Sequence, residues 1–502
     1  MSNRTEALLP IVLDKAKRVP LKRQLYLAIR DIIVAGTLPA GTRLPSTRTL
    51  AQAHGVSRST VVEVFEQLLA DDLTAGTIGS GTYINTATAI GKRVSAMMPR
   101  VLDKNTHLSV RGRRIAGITL TYGVYRKRII GAFRNGLPAL DLFPRESWAR
   151  HLAKAARHAS PALLDYGDAA GFAPLRKTIA ERLAITRSVR CTPEQIFVVE
   201  GTQHALDTIA QVLLDPGDEV WIEDPCFPGA RLAFSAAGAK LRPVPVDDQG
   251  INVEFAVQQW PKPRAIFVSP SHQFPMAVAL SMSRRLALLA CAQRAGAWII
   301  EDDFENEFEY AKRPLLSLQS LDTADRVLYV GTFTKTMAPS LRIGYVIVPE
   351  TLVDVFAAAR RIGGRSCRAL EQAALATFIA EGAFARHVRH MRDVYQERQS
   401  VLIEEVERQL AGVATIGKAD SGIHLLARLA PAFDDIAVSE AAEAAGIDAA
   451  PLTPFAMVPR DAGGLTLGYA IAKPEEIRAG IAVLARCLSK PQYRRRDRDR
   501  NN

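Results

Sequence analysis

Residues 331–349 read GTFTKTMAPSLRIGYVIVP: a lysine, Lys335, set among three threonines, an arginine seven residues later, and then a β-prone apolar run. Apolar runs of the same kind precede it at QIFVV (195–199), EVWIE (219–223), AIFVS (265–269), AWIIED (297–302) and RVLYVG (326–331), with helical periodicity between them. Short strands alternating with helices predict the α/β class, a mainly parallel sheet covered by helices. Ligands of such sheets bind beyond the carboxyl ends of the strands, which is where Lys335 falls.

A lysine in a partly desolvated, electropositive pocket becomes a Schiff-base nucleophile, and pyridoxal phosphate is the commonest aldehyde such a lysine holds. That cofactor also needs an acid at its pyridine nitrogen, an aromatic face and donors for its phosphate. Asp302 closes AWIIED and supplies the acid, while Phe227, in EDPCFPGAR, supplies a ring to stack on. The stretch VVEGTQHALDTIAQVLL (198–214) runs from a strand through Gly201 into a helix, so the amides of Thr202 and Gln203 would face a phosphate. Thr332, Thr334 and Arg342 add hydroxyls and a guanidinium for the same group.

The other end of the chain has a different chemistry. Residues 1–135 hold 21 Lys and Arg against 8 Asp and Glu, whereas residues 136–502 hold 43 against 44, so the net charge of +12 is wholly N-terminal. Such asymmetry is the electrostatic footprint of a segment that meets a polyanion. Apolar residues from Leu21 to Val34 recur at helical spacing up to Gly36; Pro45 and Ser46 open a short helix, Gly55 makes a turn, and Ser57 stands as N-cap of a further helix. Two short helices about a glycine turn predict a helix-turn-helix, and the glycine-split pair of β-prone pieces in LTAGTIGSGTYI (73–84) predicts a hairpin wing. Arg58, Ser59 and Thr60 begin the helix that would enter the major groove, with Arg43 and Arg48 beside it. Arg58 could grip a phosphate or read guanine.

Residues 86–135 carry 11 Lys and Arg and a single acid, Asp103, and read as a basic, mostly irregular linker. The tail YRRRDRDRNN (493–502) is too polar to pack. This divides the chain into a DNA-binding domain (14–85), the linker (86–135), a ligand-binding α/β domain (136–490) and a disordered basic tail (491–502). The five cysteines are scattered with no CxxC and imply no metal. No apolar run approaches the length of a membrane span and the N-terminus lacks signal-peptide features, so a cytoplasmic protein is expected.

Two resemblances sharpen this reading. The G-x-x-L-P-S-x-R element, the S-R-x-T-V helix start and the G-S-G-T-Y wing make residues 25–84 resemble the winged helix-turn-helix of GntR-family transcription regulators. Carried over, Arg48, Arg58 and the wing at Gly79 and Ser80 would contact double-stranded promoter DNA, together with Arg43, Ser57, Ser59 and Thr60. From NGLPALDLFPRESWAR to FIAEGAFARHVRHMRDVYQERQ the chain resembles a fold-type I aminotransferase, and more closely the effector domain of the MocR subfamily of GntR regulators. The resemblance implies pyridoxal 5'-phosphate held on Lys335 as a Schiff base, Asp302 at the pyridine nitrogen, His272 and Gln273 near the ring hydroxyl, and a homodimer that senses a small amine.

Two positions depart from the pattern. Phe304 stands where the family usually has a tyrosine, and in GGLTLGYA (463–470) Thr466 aligns where aminotransferases often carry an arginine for the substrate carboxylate. Arg231 and His424 are the alternatives for that task. Both a sensing regulator and an active aminotransferase with an accessory DNA-binding arm fit these features, and Phe304 favours the regulator.

Overall fold

The computed structural model describes residues 9–14, 19–77, 81–85, 108–118, 131–305, 307–310, 316–364, 368–490 and 493. They fall into two compact units, Met1–His107 and Leu108–Asn502.

In the first unit α1 (Leu21–Ala35) ends at Gly36, whose φ of 66° places it in the left-handed region that glycine tolerates. Ser46 caps α2 (Thr47–His54) by accepting from the Thr49 amide at 3.1 Å, and Ser57 caps α3 (Arg58–Ala70) by accepting from the Thr60 amide at 3.1 Å. The strands β1 (Thr74–Thr77) and β2 (Gly81–Ile84) pair antiparallel as the wing. Leu25 and Ile29 of α1 meet Val61, Val64 and Leu68 of α3 in a core closed to solvent. Leu9 and Ile11 also enter this core, so packing begins upstream of residue 14.

The second unit is built on an eight-stranded sheet. Its strands are β3 (Ile196–Val199), β4 (Glu219–Asp224), β5 (Lys240–Asp247), β6 (Gly250–Ile251), β7 (Ala265–Val268), β8 (Trp298–Asp302), β9 (Val327–Thr332) and β10 (Gly344–Ile347), in the spatial order β3-β10-β9-β8-β7-β4-β5-β6. The run β9-β8-β7-β4-β5 is parallel, whereas β10 is antiparallel to both neighbours and β6 to β5. Helices cover both faces, so the central strands read as continuous apolar runs; Phe267, Ile300 and Leu328 are fully buried. The register Asp302↔Val330 and Gly344↔Thr332 brings the ends of β8 and β9 to one edge.

A second sheet, β11 (Ala414–Ile416), β12 (His424–Leu429), β13 (Ala450–Pro451) and β14 (Gly464–Gly468), is antiparallel in the order β11-β12-β14-β13. The helices Ala383–Gln409 and Pro474–Leu488 pack with it into one apolar cluster through Leu402, Val406, Ile477 and Ile481. One helix, Val110–Gly117, stands within the stretch expected to be irregular. Ser109 caps it through the Gly112 amide, and the Arg114 guanidinium lies against Gly238, so chain from Leu108 onward belongs to the second unit. The tail from residue 494 lies outside the described residues.

Candidate functional site

The carboxyl edge of β8 and β9 forms the floor of a cavity of about 480 Å³. Lys335, Asp302, Phe304, Thr332, Thr334, Arg342, Thr202, Gln203 and Phe227 all line it, drawn from four separate strand ends. The Lys335 ammonium donates to the Gly136 carbonyl at 3.0 Å. Burial holds its pKa below the usual lysine range, against the opposing pull of Glu305 and Asp302. Asp302 is 3% exposed, and its carboxyl is pushed up to about 8 by burial and by Asp303, with Lys335 working against the rise.

One side of the cavity is formed by glycine, by short hydroxyl side chains and by a guanidinium. Gly201, with φ +87°, caps the helix Thr202–Leu213 with its N-terminus at the cavity, and the Arg342 guanidinium lies nearby, 3.8 Å from where a Gly201 Cβ would stand. Thr332 Oγ1 donates to Thr334 Oγ1 at 2.8 Å and accepts from the Thr334 amide at 3.1 Å, which fixes both hydroxyls in the loop before Lys335. On the far side Gln203 Nε2 donates to the Gly229 carbonyl at 3.1 Å. The Phe227 ring stands edge-on to Phe274, with centroids 6.5 Å apart and planes at 86°, leaving a flat apolar wall.

Pyridoxal phosphate fits these residues on an observation independent of the motifs: Asp302 Oδ1 is sealed from solvent and has no hydrogen-bond partner. An isolated buried carboxylate oxygen is costly, and a protonated ring nitrogen is the donor that would satisfy it.

His272 and Gln273 lie elsewhere than the resemblance implied. Neither lines the cavity. His272 Nε2 sits 3.2 Å from His424 Nδ1 behind the wall, and Gln273 Nε2 donates to the Pro225 carbonyl at 2.7 Å while its Oε1 accepts from the Met276 amide. The next residue of that loop, Phe274, lines the cavity instead. Arg231 also stands away, donating to the Pro454 carbonyl at 3.4 Å, whereas His424 does reach the wall. Thr466 is fully buried, its hydroxyl donating to the Ala450 carbonyl at 3.1 Å, in the middle of β14.

Several lining groups went unnoticed in the sequence: Arg134, Asn135, Glu305, Asp448 and Phe455. Glu305 is 4% exposed, accepts from the Ile423 amide at 2.9 Å and lies 3.7 Å from His272 and 3.9 Å from His424. Burial raises its carboxyl to about 7 and drops His272 to about 4, so near neutrality the histidines are uncharged. The signal for Glu305 was its place three residues after Asp302, and for Asn135 its place at the head of NGLPALDLFP. A brace underlies the loop: Arg187, 3% exposed, donates to Asp303 at 2.9 Å and Glu309 at 3.0 Å.

In the first unit Arg48, Arg58, Ser57 and Ser59 are exposed around the start of α3. Arg58 Nε donates to Thr47 Oγ1 at 3.4 Å, and the hydroxyls of Ser59 and Thr60 bond Ser57 Oγ at 2.8 and 2.7 Å. Arg43 bridges to Tyr83 of the wing, its guanidinium close over Gly81. Gly79 and Ser80 lie outside the described residues. No helix among the described residues is long and apolar enough to cross a membrane.

A winged helix-turn-helix whose reading helix opens on an exposed arginine, joined to an aminotransferase-like domain, defines a class of two-part transcription regulators. Comparison with known proteins agrees: residues 21–84 match the gntR family of bacterial regulatory proteins and residues 139–484 match aminotransferase class I and II. The chain is 42% identical to the probable rhizopine catabolism regulatory protein MocR of Rhizobium meliloti, over 94% of this chain and 95% of that protein. It is 30% identical to the HTH-type transcriptional regulator TauR of Rhodobacter capsulatus, over 93% and 96%. Among solved structures, the α-aminoadipate aminotransferase LysN of Thermus thermophilus superposes with a TM-score of 0.69 at 26% identity, over 77% of this chain and 98% of that one. The chain belongs to the MocR-type group of GntR-family transcription regulators.

Proposed function

We propose that this protein is a transcription regulator that binds pyridoxal 5'-phosphate at Lys335 and senses a small primary amine there. The observation that carries the reading is the presence in one cavity of a buried lysine, its pKa lowered by desolvation, and the unsatisfied Asp302 oxygen, in a chain whose other unit is a winged helix-turn-helix. When bound, the cofactor would supply an aldehyde, and Lys335 is the amine placed to hold it. Asp302 would keep the ring nitrogen protonated, the Thr202–Leu213 helix start with Thr332, Thr334 and Arg342 would hold the phosphate, and Phe227 would cover one ring face. Phe304 presents an apolar edge in place of the expected hydroxyl.

Arg58 and Arg48 would grip promoter DNA in the groove, with Arg43 tying the wing to the entry of α2. The amine changes transcription only if it binds two arrangements of the protein unequally. We read the active species as a homodimer acting in the cytoplasm; Leu164 and Tyr166, exposed at 67% and 81%, support a further contact surface on the second unit. The boundaries that support this reading are a DNA-binding domain within residues 9–85 and an amine-sensing domain from about residue 108 to 490.

An active aminotransferase is the second reading, favoured by the depressed lysine pKa, which suits turnover as well as sensing. The deciding experiment compares wild type with Lys335→Ala for amine-dependent change in promoter affinity and for amine turnover with an oxo acid. Loss of the affinity change without any turnover in wild type supports sensing. Steady turnover in wild type with promoter affinity indifferent to amines overturns it.

A further inference from the structure

Asn135, also in the lining of this cavity, carries a second buried polar atom without a partner. Asn135 Nδ2 donates both to Thr466 Oγ1 at 2.6 Å and to the Thr466 carbonyl at 3.2 Å. The Thr466 hydroxyl spends its own proton on the Ala450 carbonyl, so it can only accept from Asn135. Both bonds therefore demand the amide nitrogen on that side, and the Asn135 orientation is locked. Its Oδ1 is left buried, with no partner.

Two carboxyl groups, those of Glu305 and Asp448, also line the cavity, and the Gly136 carbonyl next in the chain already takes the Lys335 proton. Arg134, the cation beside them, has Asp448 at 4.0 Å from its Nε. The other arginine of the lining, Arg342, lies beside Gly201. A carboxylate here would face acceptors and meet a guanidinium whose charge is already offset, whereas a hydroxyl supplies the donor that Asn135 Oδ1 lacks.

Resting on the reading of this cavity as an amine sensor, we propose that the effector is a hydroxylated primary amine without a carboxylate beside its nitrogen, an amino alcohol or aminated polyol, with Asn135 and Thr466 as the residues that set this choice. Where aminotransferases place an arginine, Thr466 keeps Asn135 turned as an acceptor. A site built to bond a hydroxyl rejects analogues that lack it, because its own buried polar atom is then left unpaired.

The test uses the full-length cofactor-loaded protein and three matched amines: serinol, which is serine with its carboxylate replaced by a hydroxymethyl group; serine itself; and isopropylamine. Each is titrated by the change in cofactor absorbance and by the change in promoter affinity. Serinol is expected to bind about tenfold or more tighter than either companion. Asn135→Leu should erase the preference of serinol over isopropylamine while leaving isopropylamine binding in place, and Thr466→Arg should move the preference toward serine. Serine binding as tightly as serinol, or an undiminished serinol preference in Asn135→Leu, overturns the proposal and leaves the sensor reading standing. A wild-type protein whose cofactor absorbance responds to no amine overturns both.

Discussion

The Lys335 ammonium lies 3.0 Å from the Gly136 carbonyl, 199 residues away in the chain, and this bond ties the lysine to a distant segment of the same cavity lining. Gly136 has φ +74°, and a Cβ there would come within 2.6 Å of Nζ. Gly136→Ala should therefore strain the backbone and push the lysine aside. The expected result is weakened cofactor retention, at least tenfold by dialysis, with an unchanged far-ultraviolet dichroism spectrum. Full retention would mean that this contact does not position the lysine.

Stability of the cofactor-free protein should depend on pH through the buried carboxyls. The Glu305 carboxyl titrates near 7 in the folded state against an ordinary 4.5, so between those values the folded protein keeps a proton that the unfolded chain has lost. Stability from this group therefore falls as pH rises through that window. His272, lowered to about 4 from 6.5, acts oppositely below 6.5. Between those two effects the net fall should emerge from about pH 6.5 upward, where Asp302 and Glu223, each raised to about 8, add to it. Thermal midpoints should drop between pH 6.5 and 8, and Glu305→Gln should flatten the slope by on the order of 1 kcal/mol. A midpoint that rises over this range would contradict the burial of these groups as charged-state penalties.

Arg187 bonds Asp303, Glu309 and Ser271 from a position 3% exposed, and Tyr329 also donates to Asp303 at 2.6 Å. Removing the cation leaves the two carboxylates without its compensating charge. Arg187→Leu should cost roughly 3–5 kcal/mol in chemical denaturation of the second unit. A loss under about 1 kcal/mol would show that the carboxylates find compensation elsewhere.

Arg58→Ala should weaken promoter binding by about tenfold or more while leaving cofactor absorbance intact. If Arg58 meets a phosphate, the slope of log K against log salt should shrink by about 0.9; if it reads a base, the slope should hold and specificity should relax at one base pair. Specific binding left undiminished by the substitution would place the reading surface elsewhere. The Ser57 cap offers an internal control, since Ser57→Ala should destabilise the first unit by about 1 kcal/mol through α3.

What the sequence determined by itself was whatever rests on near neighbours in the chain. Helix caps at Ser46 and Ser57, the glycine stops at Gly36 and Gly55, and the buried strands ending in Asp302 and Thr332 each carry a local signature, because capping and strand burial act within a few residues. Lys335, Thr334 and Thr202 were legible for the same reason: strand ends and helix starts put them at the sheet edge. The helix Val110–Gly117 was missed because it buries no apolar face and so leaves no periodic signature.

Only the tertiary structure decided which side chains face inward. His272 and Gln273 sit in a suggestive motif, yet the loop turns Phe274 to the cavity and backs His272 onto His424, 152 residues away. Asn135 and Thr466 are 331 residues apart, and neither reads as functional until β14 and the segment before Gly136 meet. Local spacing fixes where a residue falls along a strand or helix. The direction of a loop side chain, and the partner it finds there, follow from packing between distant segments, and that is settled only when the core closes.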